Sequence, residues 1–169
     1  MVTYTNPVER KLAEWESRHV APRDRSRIDL NVSRAVLSHV WEVLRMPNNP
    51  PVMTRLGPDD PGYCAGAQAY VDADGTHIVM QRPTLATRVI LHEIAHCMTD
   101  DPLGSMEHRR PIEREIHGEI WLTNYLWLLD RFMGPLYNTF HMRSTLPPEC
   151  AAWSIPYHPI VWGKARVIK

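Results

Sequence analysis

Between Val8 and His19 the charged residues are broken by Leu12, Ala13 and Trp15, a rhythm that predicts a short amphipathic helix ended by Pro22. Arg23 to Leu30 is polar and basic. Val36, Leu37, Val40, Trp41 and Leu44 then recur at helical spacing, with Asn31 or Ser33 as the expected cap. Prolines at 47, 50 and 51 make 46–51 a linker, and the loop continues through 56–62. Two short β-prone runs, Ala67–Val71 and Thr76–Met80, flank Asp72-Ala73-Asp74-Gly75 and predict a hairpin. Leu85, Val89, Ile90, Ile94 and Met98 form the buried stripe of a third helix, started near Thr84 and stopped near Asp100-Asp101-Pro102. Ile112, Ile116, Ile120, Thr123 and Trp127 continue the pattern in a helix that could begin at Pro111 and run to about Phe132. Gly118 is a weak point in it, costing about 1 kcal/mol relative to Ala, so the helix could instead start nearer Gly118. From Pro135 the chain reads as irregular coil with short extended pieces near Ile160-Val161-Trp162.

Helices around one hairpin make an α+β class. The 169 residues suit a single domain, with N-terminal helices over about 8–45, a central core over about 65–133 and an irregular C-terminal wrap over 134–169. Charge narrows the partners. Nineteen basic residues balance nineteen acidic ones, which leaves no overall electrostatic footprint for nucleic acid or an anionic membrane. Cys64, Cys97 and Cys150 are too few and too widely spaced for a secreted disulfide scaffold, and neither a signal peptide nor an apolar run of membrane-spanning length is visible. A cytoplasmic location is the expectation, in a bacterial cell or in the host of a phage.

The third helix carries the chemistry. His92-Glu93-Ile94-Ala95-His96 matches H-E-x-x-H, which nine histidines and ten glutamates would produce by chance in about three shuffles of a hundred. On a helix, residues four apart share a face, so His92 and His96 aim two imidazoles at one ion. Glu93 is rotated off that line and can act on a water as a general base. The expected ion is Zn2+, which in catalytic sites takes three protein ligands and keeps one position open. His108, Glu113, Glu115, His117, Glu119 and His141 are the candidates for the third ligand. The metzincin continuation is excluded, because Thr99 and Pro102 stand where its Gly and His belong.

His117-Gly118-Glu119-Ile120-Trp121 follows at a distance. Together with the hairpin and H-E-x-x-H, it makes the chain resemble the SprT-like zinc metallopeptidases and the related short H-E-x-x-H proteins of actinobacteria and their phages, over about residues 65 to 130. The resemblance implies a zincin-like fold, with a small β-hairpin or sheet packed on the active-site helix between flanking helices. It also implies His117, the His of an H-G-x-x-[F/W] motif, as third ligand beside His92 and His96. The family commonly has H-G-P-E-F, from which Glu119-Ile120-Trp121 departs, and Glu113, one turn earlier, is the competitor. Trp121, one turn after His117, is placed to pack on the same face.

A zinc-dependent peptidase acting on protein or peptide substrates is the leading expectation, with Glu93 catalytic. Tyr137, His141 and Arg143 are candidates for steadying an oxyanion, and the strand Thr76–Met80 could pair with substrate if it is an edge. Some SprT-like relatives act on proteins attached to DNA. Balanced charge and the lack of a paired-cysteine zinc ribbon argue against that here. Two other readings remain: a catalytically inactive phage or bacterial binding protein that keeps the fold, separable by a fourth protein ligand on the metal, and a zinc hydrolase of a non-peptide amide.

Overall fold

A computed structural model describes residues 7–46, 49–57, 66–72, 75–99, 117–150 and 153, which form five α-helices and a three-stranded mixed sheet. Helix α1 (Pro7–Trp15) runs on through a π turn (Glu16–Val20) and a 3₁₀ turn (Ala21–Arg23), so helical backbone extends to Arg23 and Pro22 sits inside the last turn. Helix α2 (Leu30–Leu44) follows. Its cap is Asp29 rather than Asn31 or Ser33: Asp29 has extended backbone, and its carboxylate accepts the Val32 amide at 2.9 Å.

The hairpin forms as expected from β2 (Ala67–Asp72) and β3 (Gly75–Met80), closed at Gly75, whose φ of 128° favours glycine. A further strand, β1 (Val52–Arg55), lies between the linker and the loop read from the sequence, and pairs parallel to β3. The strand order β1-β3-β2 therefore makes Thr76–Met80 central and leaves β2 and β1 as edges, which removes it as a surface for substrate pairing. Four residues beside prolines carry too little period to announce a strand. The β1 edge is held by Arg34 of α2, whose guanidinium donates to the Met53 carbonyl at 2.9 and 3.1 Å.

Helix α3 (Thr87–Thr99) is the centre of the body, packed against the sheet, α2 and α4 (Glu119–Met133). Ile90, Leu91, Ile94, Ala95 and Met98 are completely buried and meet Ile78 and Met80 of β3 and Leu122 and Leu126 of α4 within one core. Burial contributes about 1.5–3 kcal/mol for each large apolar side chain, against about 1 kcal/mol for a cap. Packing therefore holds α3, and the caps decide where it begins.

Those caps come from a distant segment. Thr84 is exposed and precedes α3 by three positions; instead Ser26 Oγ accepts the Thr87 amide at 2.8 Å and Asp24 Oδ2 accepts the Arg88 amide at 2.7 Å. Ile28 adds a two-bond bridge to Leu85, at 2.8 and 3.0 Å. The arm 16–28 thus lies along the start of the central helix and fixes its first turn.

Helix α4 begins at Glu119 with Gly118 as its cap, the later of the two starts read from the sequence, and residues 100–116 lie outside the described ones. Where coil was expected, a short helix α5 (Thr139–Ser144) appears, capped by Asn138, whose side chain accepts the amides of Phe140 and His141. The expected extended piece at 160–162 lies outside the described residues. No described helix is long and apolar enough to cross a membrane.

Candidate metal centre

On α3, His92 and His96 are one turn apart, and their Nε2 atoms stand 3.3 Å from each other. His117, just before α4, brings its Nε2 to 3.2 Å from that of His92. One nitrogen from each of the three residues falls inside a group no wider than 4.8 Å. The two elements meet because α3 and α4 share a face of the core, and Trp121, 3 % exposed, fills the angle between them. Its ring centroid lies 4.4 Å from that of His117 and 4.8 Å from that of His92, and its indole N–H points to the His92 carbonyl at 3.4 Å. Gly118 is extended at φ −82°, a backbone open to any residue; its carbonyl accepts the Leu122 amide and starts α4.

Two carboxylates act on His92. Glu16, in the π turn after α1, reaches His92 Nδ1 with Oε2 at 3.1 Å. Its other oxygen accepts the Tyr125 hydroxyl at 2.7 Å and the Arg88 guanidinium at 3.3 Å. Burial alone would raise the Glu16 pKa, but His92, Tyr125 and Arg88 together pull it down to about 2. The same pairing reverses the effect of burial on His92, whose pKa is raised by Glu16. Desolvation and the neighbouring His92 lower His96 to about 2 and His117 to about 4, so both stay neutral with lone pairs available.

Glu93 lies on the sheet side, 8 % exposed, with Oε2 accepting the Ala69 amide of β2 at 2.8 Å. In an antiparallel ladder, amides alternate between the partner strand and the open side; this bond shows that the amide of Ala69 points away from β3. The small side chains of Ala67 and Ala69, partly buried against the core, let the edge strand approach the helix. Burial pushes the Glu93 carboxyl upward and Glu16 adds to this, against the opposing pull of His92 and the Ala69 amide.

The arrangement fits a cation. With its Nδ1 directed to Glu16, His92 has a single position at Nε2 to offer, which cannot serve both neighbouring rings. A shared ion satisfies all three lone pairs at once. Two nitrogens bound at about 2.0–2.1 Å to a tetrahedral ion stand about 3.3–3.4 Å apart, close to the two separations observed. The group consists of half-buried residues.

Among the third-ligand candidates the described structure brings in His117. Glu119 and His141 are outside the group, and His108, Glu113 and Glu115 lie outside the described residues. The oxyanion candidates have other engagements where their contacts are seen: the Tyr137 hydroxyl donates to the Val20 carbonyl at 2.8 Å, and His141 sits 3.1 Å from the Arg23 guanidinium. Cys97 and Cys150 are buried. Sequence reasoning missed Glu16, Arg88 and Tyr125. Tyr125 was open to inference, since it continues the His117 and Trp121 face by one turn; Glu16, 76 positions before His92, carried no local signal. Comparison with family models, with curated proteins and with solved structures finds no match.

Proposed function

We propose that the chain is a zinc-dependent peptidase of zincin-like fold, with His92, His96 and His117 as ligands and Glu93 as general base. The observation that carries this reading is the convergence of three imidazole Nε2 atoms at 3.2 and 3.3 Å. Among the described residues the group holds three nitrogen ligands, the donor set of an open catalytic zinc, whereas structural zinc takes four protein ligands. The resemblance of His92–His96 and His117–Trp121 to the SprT-like metallopeptidases supports the same assignment.

When bound, zinc supplies a Lewis acid that polarises a carbonyl and lowers the pKa of a water to about 7. The protein's part is positional. His96 and His117 remain neutral and present lone pairs, while Trp121 packs against the rings and limits their rotation. Glu93, beside His92 and hydrogen-bonded to β2, stands between the imidazoles and the edge strand, where it can take a proton from water and pass it to a leaving amine. A peptide laid against β2 would add to the sheet through main-chain bonds, releasing Glu93 from the Ala69 amide as it docks.

The test is Glu93→Gln, assayed with an unstructured protein substrate and with zinc content measured in parallel. Wild type is expected to hold one zinc and cleave; the variant is expected to hold zinc and lose cleavage by a factor of about 100 or more. Cleavage retained by the variant, or a wild-type chain without zinc, defeats the proposal.

A further inference from the structure

Resting on the metal reading above, we propose that Glu16 is a positioning residue of the metal centre, through which docking of the arm 16–28 and loading of the ion stabilise each other. The carboxylate is acceptor-only, and three donors on three sides hold it: His92 Nδ1 at 3.1 Å, the Tyr125 hydroxyl at 2.7 Å and the Arg88 guanidinium at 3.3 Å. With its own position determined from α3 and α4, it sets both the tautomer and the plane of the His92 ring, leaving Nε2 as the atom that faces His96 and His117. A carboxylate on the far nitrogen of a ligating imidazole also raises that ligand's basicity.

The geometry of the arm makes the effect reciprocal. Glu16 lies in a π turn, a local widening of the helix between α1 and the 3₁₀ turn, which is a feature often found at functional positions. From there the arm reaches the start of α3 through Asp24 and Ser26, while Tyr137 donates to its Val20 carbonyl. An ion that favours the ordered His92 ring therefore favours the docked arm. By linkage, the docked arm favours the ion by the same factor. Neither H-E-x-x-H nor the third ligand contains this element; it comes from a part of the chain that adds no residue to the three-histidine group.

The test uses the full chain with zinc as the probe, in competition with a chromogenic chelator. Glu16→Gln, nearly isosteric but carrying an NH2 group that must face one of three donors, is expected to weaken zinc binding by about 10–100-fold. The visible absorption of the cobalt-substituted protein should change with it. Tyr125→Phe, which removes one of the donors and leaves the ligands intact, should weaken binding by a smaller factor and serves where Glu16→Gln fails to fold; Glu16→Asp should restore part of the loss. Hydrogen exchange supplies a readout a merely structural role would not move. Zinc should slow exchange of amides in residues 16–24 of wild type, and this zinc-dependent protection should shrink in Glu16→Gln. Wild-type zinc affinity and unchanged protection in either Glu16→Gln or Tyr125→Phe overturn the proposal alone. Absence of zinc binding in wild type overturns the peptidase reading and this one together.

Discussion

Asp24→Ala separates the arm's contribution to the central helix from its contribution to the ligands. Asp24 is 5 % exposed and accepts three hydrogen bonds: from the Ser26 amide at 2.9 Å, from the Ser26 hydroxyl and from the Arg88 amide at 2.7 Å. Removing the carboxylate leaves the Arg88 N–H of the first turn of α3 without its partner, and it loosens Ser26, which holds the Thr87 amide. A lost cap costs about 0.5–2 kcal/mol and an unsatisfied buried donor about 1–3 kcal/mol. A negative charge at the positive end of α3 adds about 0.3–1 kcal/mol. These overlap, since one N–H figures in two of them, so the net expectation is a loss of about 2–4 kcal/mol. For a chain of this size that lowers Tm by roughly 5–15 °C. The measurement is urea unfolding in chelator, which keeps metal binding out of the comparison, with Thr84→Ala as control. Thr84 is exposed and contributes no cap, so its variant should stay within about 0.5 kcal/mol of wild type. If Asp24→Ala costs under about 0.5 kcal/mol, or Thr84→Ala costs as much as Asp24→Ala, the start of α3 is not set by the arm and the reasoning fails.

Two further outcomes follow from the ligand geometry. Zinc at a free concentration of about 100 times its Kd should stabilise the chain by about 2.7 kcal/mol, raising Tm by roughly 5–10 °C, and excess chelator should reverse the shift; a Tm indifferent to zinc contradicts the site. His117→Ala should weaken zinc binding by 100-fold or more by competition titration while Glu113→Gln leaves it within about threefold, because His117 Nε2 stands 3.2 Å from that of His92; the opposite ranking would assign the third ligand to Glu113.

The legible parts of the fold are those whose signal is local. The stripe Leu85 to Met98 announces α3 because a helix buried on several faces must be apolar at nearly every turn, and Ile90, Leu91, Ile94 and Met98 are all fully buried. The hairpin was legible through Gly75 and the β-prone runs on either side of its turn. The strand β1 was not, because its identity comes from pairing with β3 and from the Arg34 bonds to Met53, neither of which a four-residue run contains. Helix boundaries failed for a related reason. Asp29 and Asn138 cap from their own sequence neighbourhood and could have been chosen, whereas the first amides of α3 are satisfied by Asp24 and Ser26 from more than sixty positions away. At the site, the i, i+4 spacing of His92 and His96 was written in the chain, but the approach of His117 depends on how α3 packs against α4.

The two buried carboxylates show what three dimensions add to the proposed division of roles. Both are glutamates beside His92, and by residue type either could orient a ligand or move a proton. Their surroundings separate them. Glu16 is surrounded by donors, two of them on charged or chargeable groups, and its pKa falls to about 2; it has no proton to exchange near neutrality and acts as a fixed anion. Glu93 has one backbone donor, from Ala69, and burial moves its pKa the other way. Paired acidic groups pushed in opposite directions are the usual basis for telling the orienting carboxylate from the one that handles protons. Exchanging the two environments would exchange the roles. On the proposed reading, H-E-x-x-H identifies Glu93 by position on the helix, and the arm that holds Glu16 against Arg88 and Tyr125 would keep that second carboxylate out of the chemistry.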